Sequence, residues 1–533
     1  MAVPLKAPFE HGAILTVPNL DQCDAILDEN HERLRTKALI GQRSLQDLRT
    51  AAAATLLREA NRYLTQAGES APPVRGERLV LAGHQPELFH PGVWLKNFAL
   101  AGLARRHGIV AVNLVVDTDT MKSAGVRVPS PADEDSPYPH AHTILFDHWQ
   151  PDVPYELCRI RNEDLFQSFS DRVSDVMRRW NVQPASVPDQ SRLVLDRYWP
   201  LVRDQSQRTP LLGESLVAAR RALERDWGCH NFEVPLSRLC STEPFAHFAV
   251  HLFRSAAQLN AIYNGCVRSH RRRHGIRSRN HPVPDLATDA DWLELPLWAW
   301  RAGDRRRSRL FVRPRQDVIE LRAGTVAWPS LPSEPERAVT ALLAMAGDGY
   351  ALRPRALLTA MFARLILSDL FIHGIGGAKY DEVTDDIIRR FFGIEPPRFL
   401  IVSGTAHLPL PVFPVSGSER QHLARELRDM RFNPQRHLDQ ASPDKRLEHL
   451  AHEKVDWIAR RTTDAVSGRA AHARLKSLIR EMEPHFEDAR HRLIEQLARL
   501  DAELKANAFL LRRDYAFCLF PESVLRPFCT QLL

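Results

Sequence analysis

Residues 79–119, LVLAGHQPELFHPGVWLKNFALAGLARRHGIVAVNLVVDTD, decide the fold because they have the pattern of a complete strand, loop, helix and strand. Residues 79–82 and 110–116 are short apolar runs without alternation, which is typical of strands buried on both faces. Between them, residues 93–106 carry apolar side chains at helical spacing, after a proline and a glycine suited to a helix start. Strands joined by such a crossover helix are parallel. The stretch therefore predicts a βαβ unit in an α/β protein with a Rossmann-like parallel-sheet core.

Polar residues follow both predicted strands, and ligands of parallel α/β sheets bind beyond the carboxyl ends of the strands. We expect one crevice to be bounded by Gly83, His84, Gln85, Asp117 and Asp119. His84 is a candidate general base, because histidine ordinarily titrates near neutral pH. Lys96, on the predicted helix, is a candidate substrate-binding or nucleotide-binding residue, although a surface lysine whose stem lies along the protein is the favoured alternative.

A second stretch, residues 351–410, predicts a helix followed by another strand, glycine loop and helix. The strand is expected at residues 369–372, the loop at 373–377 and the second helix at 378–392. Free amides and the helix dipole would make this corner an anion site, and a tight turn that needs positive φ is the alternative. The candidate binding residues of the corner are Gly374, Gly376, Gly377, Lys379 and Tyr380.

Two groups of arginines, one within residues 351–410 and one at residues 267–280, are candidates for anion binding. Arg353 and Arg355 match a dicarboxylate bidentately, and ion pairs with Asp381 or Asp385 are the structural alternative. The basic segment at residues 267–280 has no acidic neighbours in sequence and is interpreted as a solvated loop, with an anion or nucleic-acid contact as the alternative.

Composition narrows the class of protein. With 533 residues, 44% of them hydrophobic and 26% charged, the chain is an ordinary globular one, and a net charge of +7 is too modest to indicate a nucleic-acid-binding protein. Its seven cysteines show no paired spacing, which favours reduced thiols in a cytoplasmic protein. No apolar run is long enough for a membrane span.

The domain organisation follows from changes of pattern along the chain. We predict an N-terminal helical cap (1–75), the first part of the core (76–265), a basic loop with a small antiparallel β insertion (266–335), the second part of the core (336–415), an antiparallel coiled coil (416–510) and a tail that packs on the core (511–533). Residues 20–67 and 245–260 are expected to be helical.

The predicted coiled coil has an apolar seam on its second helix, with a kink at Pro484. The seam consists of Leu475, Ile479, Met482, Phe486, Ala489, Leu493 and Leu500. Its expected partner is a helix at residues 445–461 that contributes Leu447, Leu450, Val455 and Ile458.

These pieces resemble the bacillithiol biosynthesis cysteine-adding enzyme family. GHQPELFHPGVWLKNFALAGLA is similar to the family's Gly-Gln-Gln-x-x-Leu-Phe-x-Gly-Pro segment, and LRPRALLTAMFARLILSDLFIHGIGGAKYDEVTDDI to its Leu-Arg-Pro stretch leading into Gly-Gly-Pro-x-Glu-Ile-Ala-Tyr. LPLPVFP and the terminal LFPESVLRPF resemble the family's Pro-x-x-x-Pro-Arg run and its closing Leu-Phe-Pro segment. In place of the family's Glu-Asp-His-Asp cluster, this chain has Asp117, Thr118, Asp119 and Thr120.

The resemblance implies a ligase that joins cysteine to an amino-sugar conjugate, with ATP or ADP as the nucleotide and with a homodimer formed through the coiled coil. The departures imply a divergent member whose substrate differs from the family's glucosaminyl malate.

Two other functions stay open. Asp117 and Asp119 are spaced like the Asp-x-Asp pair with which nucleotide-sugar glycosyltransferases hold a divalent metal. His140 and His142 could join them, but zinc spacing rules are not met, and we predict no metal site. Alternatively, the protein is a non-catalytic coiled-coil dimer that binds an anionic metabolite.

Overall fold

The computed structural model describes residues 5–180, 192–304, 306–441, 444–460 and 465–533, which form a mixed α/β fold. The strands are β1 (Ile14–Val17), β2 (Leu39–Ile40), β3 (Arg43–Ser44), β4 (Leu79–His84), β5 (Val110–Val115), β6 (Gly125–Ser130), β7 (His140–Leu145), β8 (Phe232–Pro235), β9 (Thr288–Asp289), β10 (Trp292–Arg301), β11 (Ser308–Pro314), β12 (Val318–Ala323), β13 (Val326–Pro332), β14 (Tyr350–Pro354), β15 (Leu370–His373) and β16 (Phe399–Gly404).

The α-helices are α1 (Cys23–Leu34), α2 (Leu45–Gln66), α3 (Pro91–His107), α4 (Glu163–Gln167), α5 (Phe169–Arg178), α6 (Val194–Ser206), α7 (Leu212–Asp226), α8 (Leu236–Leu239), α9 (Glu243–Arg254), α10 (Ala256–Arg273), α11 (Pro335–Gly347), α12 (Ala356–Phe362), α13 (Ile375–Ile387), α14 (Gly417–Phe432), α15 (Lys445–Ala459), α16 (Ala465–Met482), α17 (Glu487–Leu510) and α18 (Glu522–Thr530). Two π-helical turns extend α12 and α13, at Ala363–Leu367 and Ile388–Phe392.

The central sheet has the order β1-β16-β15-β4-β5-β8, in which β1 is antiparallel and the other neighbours are parallel. The predicted βαβ unit is confirmed, because α3 connects parallel strands β4 and β5. After β8 the chain returns to the other side of β4, where β15 pairs with it. The strand order therefore reverses between β4 and β15, and the carboxyl ends of strands at such a point are where ligands of these sheets bind.

Helices cover both faces of this sheet, as its continuous apolar strands require. Leu79 and Leu81 point into a cluster with α2, α9, α10, α12 and α13, whereas Val80 and Ala82 point into a cluster with α3 and the C-terminal residues. In the second cluster, Phe517 N donates to Phe89 O at 2.8 Å, which ties the chain's end to the loop before α3. The site loops thus rest on a core packed from both sides.

The predicted antiparallel meander is confirmed as a second sheet of order β13-β12-β11-β10-β14, with β9 also paired to β10. Its strand β14 comes from the start of the stretch 351–410, so the prediction that this stretch opens with a helix was wrong. Residues 350–354 form a strand because they complete the sheet beside β10, an override of local propensity by tertiary pairing.

Two predicted helical segments are each divided in the structure. Residues 20–67 form α1 and α2, separated by the β2–β3 hairpin, because Gly41 turns the chain at a φ of 68° and Ser44 caps α2 by accepting from Asp47 N at 3.0 Å. Residues 245–260 are divided between α9 and α10 at Ser255, whose backbone is not helical.

The C-terminal helices α14 to α17 pack in pairs, α14 on α17 and α15 on α16, around a third apolar cluster. Most of the predicted seam is buried, but Leu475 and Ile479 are only partly buried and lie outside the cluster, where Leu478 takes the place expected of Ile479. Val455 and Ile458 are about half exposed, so these four assignments were wrong. At Pro484 the helix breaks into a 3-10 turn, Glu483–Phe486, rather than only bending. Within the described residues, no helix is both long and apolar enough to cross a membrane.

Candidate functional site

The predicted polar residues after β4 and β5 meet at one edge of the central sheet. His84 lies beside Val115 in the parallel ladder, and Gln85 Nε2 donates to Asp119 Oδ2 at 3.0 Å. The two loops are thus joined directly, as their position at neighbouring strand ends predicts.

A cleft of about 140 Å³ opens where β5 and β8 end, and Asp117 is one of its lining residues. Asp117 Oδ1 accepts from Ser237 N at 3.0 Å, and Oδ2 accepts from the Ser237 hydroxyl. The other polar side chains of the cleft are Tyr63, Tyr155, Glu156, Glu214 and Arg238. Three of its lining residues, Asp117, Glu156 and Glu214, are carboxylic acids, and Arg238 adds a guanidinium group.

The carboxyl group of Asp117 is held in its protonated form to unusually high pH. Burial raises its pKa most, the nearby Glu156 raises it further, and the Ser237 hydrogen bonds and Arg353 oppose them, giving a pKa of about 7. A carboxyl that gains and loses a proton near neutral pH is suited to general acid–base chemistry.

Arg353, predicted to clamp a dicarboxylate, is already paired inside the protein. Its Nε and Nη2 donate to Glu156 at 2.8 and 2.7 Å, a buried bidentate pair that links β14 of the second sheet to the cleft. Likewise, Arg355 Nη2 donates to Glu294 Oε1 at 2.8 Å. The structure therefore favours the ion-pair alternative for both arginines, with glutamates as partners instead of Asp381 and Asp385.

Asp119 takes partners different from those of Asp117. Arg307 Nη1 donates to Asp119 Oδ1 at 3.2 Å, while its guanidinium lies 4.3 Å from the centre of the Trp298 ring. The Asp117 carboxyl is hydrogen-bonded to Ser237, and the Asp119 carboxylate is hydrogen-bonded to Gln85 and Arg307. Sequence reasoning missed Arg307, since it comes from the turn between two strands of the other sheet.

The half-buried His84 and the buried Lys96 lie near the end of β4. His84 Nδ1 is 3.0 Å from Gln85 O, and its pKa is lowered well below the ordinary value by burial and then by Lys96, so the imidazole is neutral at physiological pH. Lys96 is only 4% exposed, and its Nζ donates to Gly83 O at 2.6 Å. Burial lowers its pKa to about 8.

The favoured interpretation of Lys96 as a surface lysine was wrong. Helix α3 is buried around nearly its whole circumference, between the sheet and the C-terminal residues, so it presents no solvated side at this position.

The glycine corner is a helix N-terminus rather than a loop. Helix α13 begins at Ile375, so Gly374 is its N-cap and Gly376 and Gly377 belong to its first turn. The three glycines have no positive φ, so the alternative of a turn that needs it was wrong. A Cβ at Gly374 or Gly376 would meet nothing within 4 Å, which leaves room for a ligand beside the first amides of the helix.

Behind this turn lies a buried histidine that sequence reasoning placed in a loop. His373 Nε2 is 2.6 Å from Asp381 Oδ2, and Arg364 Nη1 donates to the same oxygen at 2.6 Å. Although burial alone would raise the pKa of Asp381, His373 and Arg364 hold it below its ordinary value. The imidazole is thereby fixed beside Gly377, where an added Cβ would lie 2.8 Å from Nδ1.

Two other candidates lie further along α13. Lys379 is exposed, and the half-buried Tyr380 packs edge-on against His281, 5.6 Å between ring centres. The basic segment, residues 267–280, was predicted to be a loop, which was wrong for residues 267–273 because they end helix α10. Its charge is partly neutralised, since Arg271 pairs with Asp285 at 2.8 Å and Arg273 with Asp386 at 3.4 Å.

Ser237, Glu156 and Glu214 are among the cleft residues that sequence reasoning did not identify. Ser237 could have been found, because it follows β8 at the same edge as Asp117, but the four-residue strand is too short to give a periodic signal. The two glutamates come from other segments, and only the fold brings them to the cleft.

No protein-family model matches the chain, and no curated protein matches it in sequence.

Proposed function

We propose that the protein is an amide-forming ligase in which Asp117 is the general base for an attacking amine. The observation that supports this most directly is a buried carboxyl of pKa about 7 in a cleft with two further carboxylic acids. An amine acceptor arrives mostly as an ammonium ion, and the ionised form of Asp117 would accept its proton.

In this proposal the acceptor amine lies between Asp117, Glu156 and Glu214. The ionised Asp117 takes one proton from the amine as nitrogen attacks the acyl carbon, the new C–N bond forms, and the activating group departs with its electron pair. Ser237 holds the Asp117 carboxylate through both oxygens and so fixes the direction of proton transfer. Glu156 is kept in place by Arg353.

The nucleotide, ATP or ADP by the resemblance, would be held by its phosphates at the first turn of α13. The open space beside Gly374 and Gly376 and the free amides of the helix suit a phosphate group. ATP would supply activation of the donor carboxylate, which is a poor acyl donor by itself.

The resemblance names the substrates: cysteine as the acyl donor and an amino-sugar conjugate as the acceptor, in the cytoplasmic formation of a low-molecular-weight thiol. A Rossmann-like description of the core is supported by five parallel strands with helices on both faces. An antiparallel coiled coil is supported by the helix pairs that α14 to α17 form within one chain, and the homodimer comes from the resemblance.

Thermal stability measurements with single ligands test the proposed binding sites. Glucosamine derivatives should raise the melting temperature of the protein but not that of Asp117→Asn, while Asp135→Asn, at an exposed carboxylate, should respond as the unmodified protein does. Stabilisation by a sugar nucleotide with manganese, and none by ATP or the amine, would overturn the ligase in favour of a transferase.

The nucleotide site has its own matched pair of variants at Gly374. An Asp or Asn side chain caps a helix equally well, but only the Asp carboxylate repels phosphate. Gly374→Asp should abolish stabilisation by ATP and Gly374→Asn should keep much of it. Equal responses would contradict a phosphate site at this turn.

The dimer is tested at Leu493, which is 7% exposed in the third apolar cluster. Leu493→Asp should disrupt the helical pairs and shift sedimentation from dimer to monomer. A profile unchanged by the substitution would contradict dimerisation through these helices.

A further inference from the structure

The hairpin of β6 and β7 brings together two histidines and one aspartate. His140 Nε2 and His142 Nε2 are 2.9 Å apart, and Asp133 Oδ2 is 3.5 Å from His140 Nε2. All three donor atoms lie within 4.8 Å of one another. For metal bonds of about 2.0–2.2 Å, the donor atoms of a tetrahedral zinc site are roughly 3.3 Å apart, so little movement would bring these three around one ion.

The local backbone orients each of the three ligands. His140 and His142 are two positions apart on β7 and therefore share one face of the strand. Asp133 Oδ1 accepts from the amides of Asp135 and Ser136, at 3.2 and 3.0 Å, which anchors one oxygen in the loop and directs Oδ2 to the histidines.

The charge around the cluster favours a cation. Glu134 and Asp135 are exposed on the same loop, and among the described residues no arginine or lysine forms an ion pair with Asp133. A second group, His270, His274 and Glu382, has similar donors. There Arg273 already lies 3.8 Å from Glu382, which opposes a metal ion.

We propose that Asp133, His140 and His142 form a binding site for a divalent transition-metal ion, with zinc the best match to two imidazoles and a carboxylate. From the sequence, His140 and His142 were candidate metal ligands only together with Asp117 and Asp119. Asp133 supplies the carboxylate instead, from the loop that joins the two strands. Three protein ligands leave a fourth position for water or an external ligand, and the site is separate from the cleft of the proposed ligase.

Metal binding to the chelator-treated, full-length protein tests this site independently of any ligase activity. Titration calorimetry with ZnCl₂ should show one site, and Co²⁺ should give the visible absorption bands of a tetrahedral complex. All seven cysteines are buried, so thiols do not compete.

Variants then locate the ion. His142→Ala should weaken zinc binding by at least about tenfold, since loss of even an outer partner of a metal ligand costs that much, and His142 is exposed, so folding is preserved. Asp133→Asn should weaken zinc binding in the same direction, and His274→Ala should not change it. Any of three results would overturn the proposal. These are zinc binding that persists in His142→Ala, zinc binding that is lost in His274→Ala, and no zinc binding by the unmodified protein.

Discussion

Substituting Asp117 by Asn should change how the stability of the protein depends on pH. Burial and nearby charge raise the pKa of this carboxyl from its ordinary 3.8 to about 7. Ionising it in the folded protein therefore has a free-energy penalty of roughly 4 kcal/mol relative to an ordinary carboxyl. Below pH 4 the carboxyl is neutral in both the folded and the unfolded chain, so burial costs nothing extra. Above pH 7 the carboxyl is ionised in both states, and the folded state is destabilised by the full amount of roughly 4 kcal/mol.

The protein should therefore lose about 4 kcal/mol of stability relative to Asp117→Asn as the pH rises from 4 to 7. Loss of one Ser237 hydrogen bond in the variant adds an offset that does not vary with pH. Urea denaturation at closely spaced pH values measures the difference, with Asp135→Asn as the control for net charge. Parallel stability curves for the protein and Asp117→Asn would refute the perturbed carboxyl and, with it, the general base.

Three further substitutions have outcomes fixed by contacts in the structure. Burial lowers the pKa of Lys96 from 10.5 to about 8. Below pH 8, Lys96→Met should therefore be more stable than the unmodified protein by up to roughly 3 kcal/mol. Denaturation experiments should show this difference disappearing by about pH 10.5. Glu156→Gln leaves the Arg353 charge buried and unpaired, so it should destabilise the protein by about 3–5 kcal/mol. It should also lower the pKa of Asp117, which Glu156 raises. The control Glu163→Gln, at an exposed glutamate, should have neither effect. Gly377→Ala forces a Cβ against His373 and should cost about 1–3 kcal/mol, whereas Gly376→Ala meets open space and should be neutral or stabilising in a thermal melt.

Much of the central fold is predictable from the sequence because it is encoded locally. The helical spacing between two apolar runs predicts β4, α3 and β5 to within two residues at each boundary, and the edge where Gln85 meets Asp119 follows from parallel-sheet geometry. The meander is equally visible from its alternating strands and turns.

What the sequence does not encode locally is which charges pair across the fold. Arg353 and Glu156 are 197 residues apart along the chain, and nothing near either residue indicates the other. Lys96 was misjudged for a related reason: the C-terminal residues that bury α3 lie hundreds of positions away. The candidate cleft was therefore predicted only through Asp117, and its acidity appears only once the chain is folded.

The most direct test of the central claim is a reconstituted ligation followed by mass spectrometry. Purified protein with ATP, cysteine and a panel of glucosamine derivatives should yield the cysteinyl amide of at least one of them. Asp117→Asn should yield almost none, and Asp135→Asn should match the unmodified protein. Absence of the amide from the unmodified protein, under conditions where both ATP and the amino sugar raise its melting temperature, would contradict the ligase.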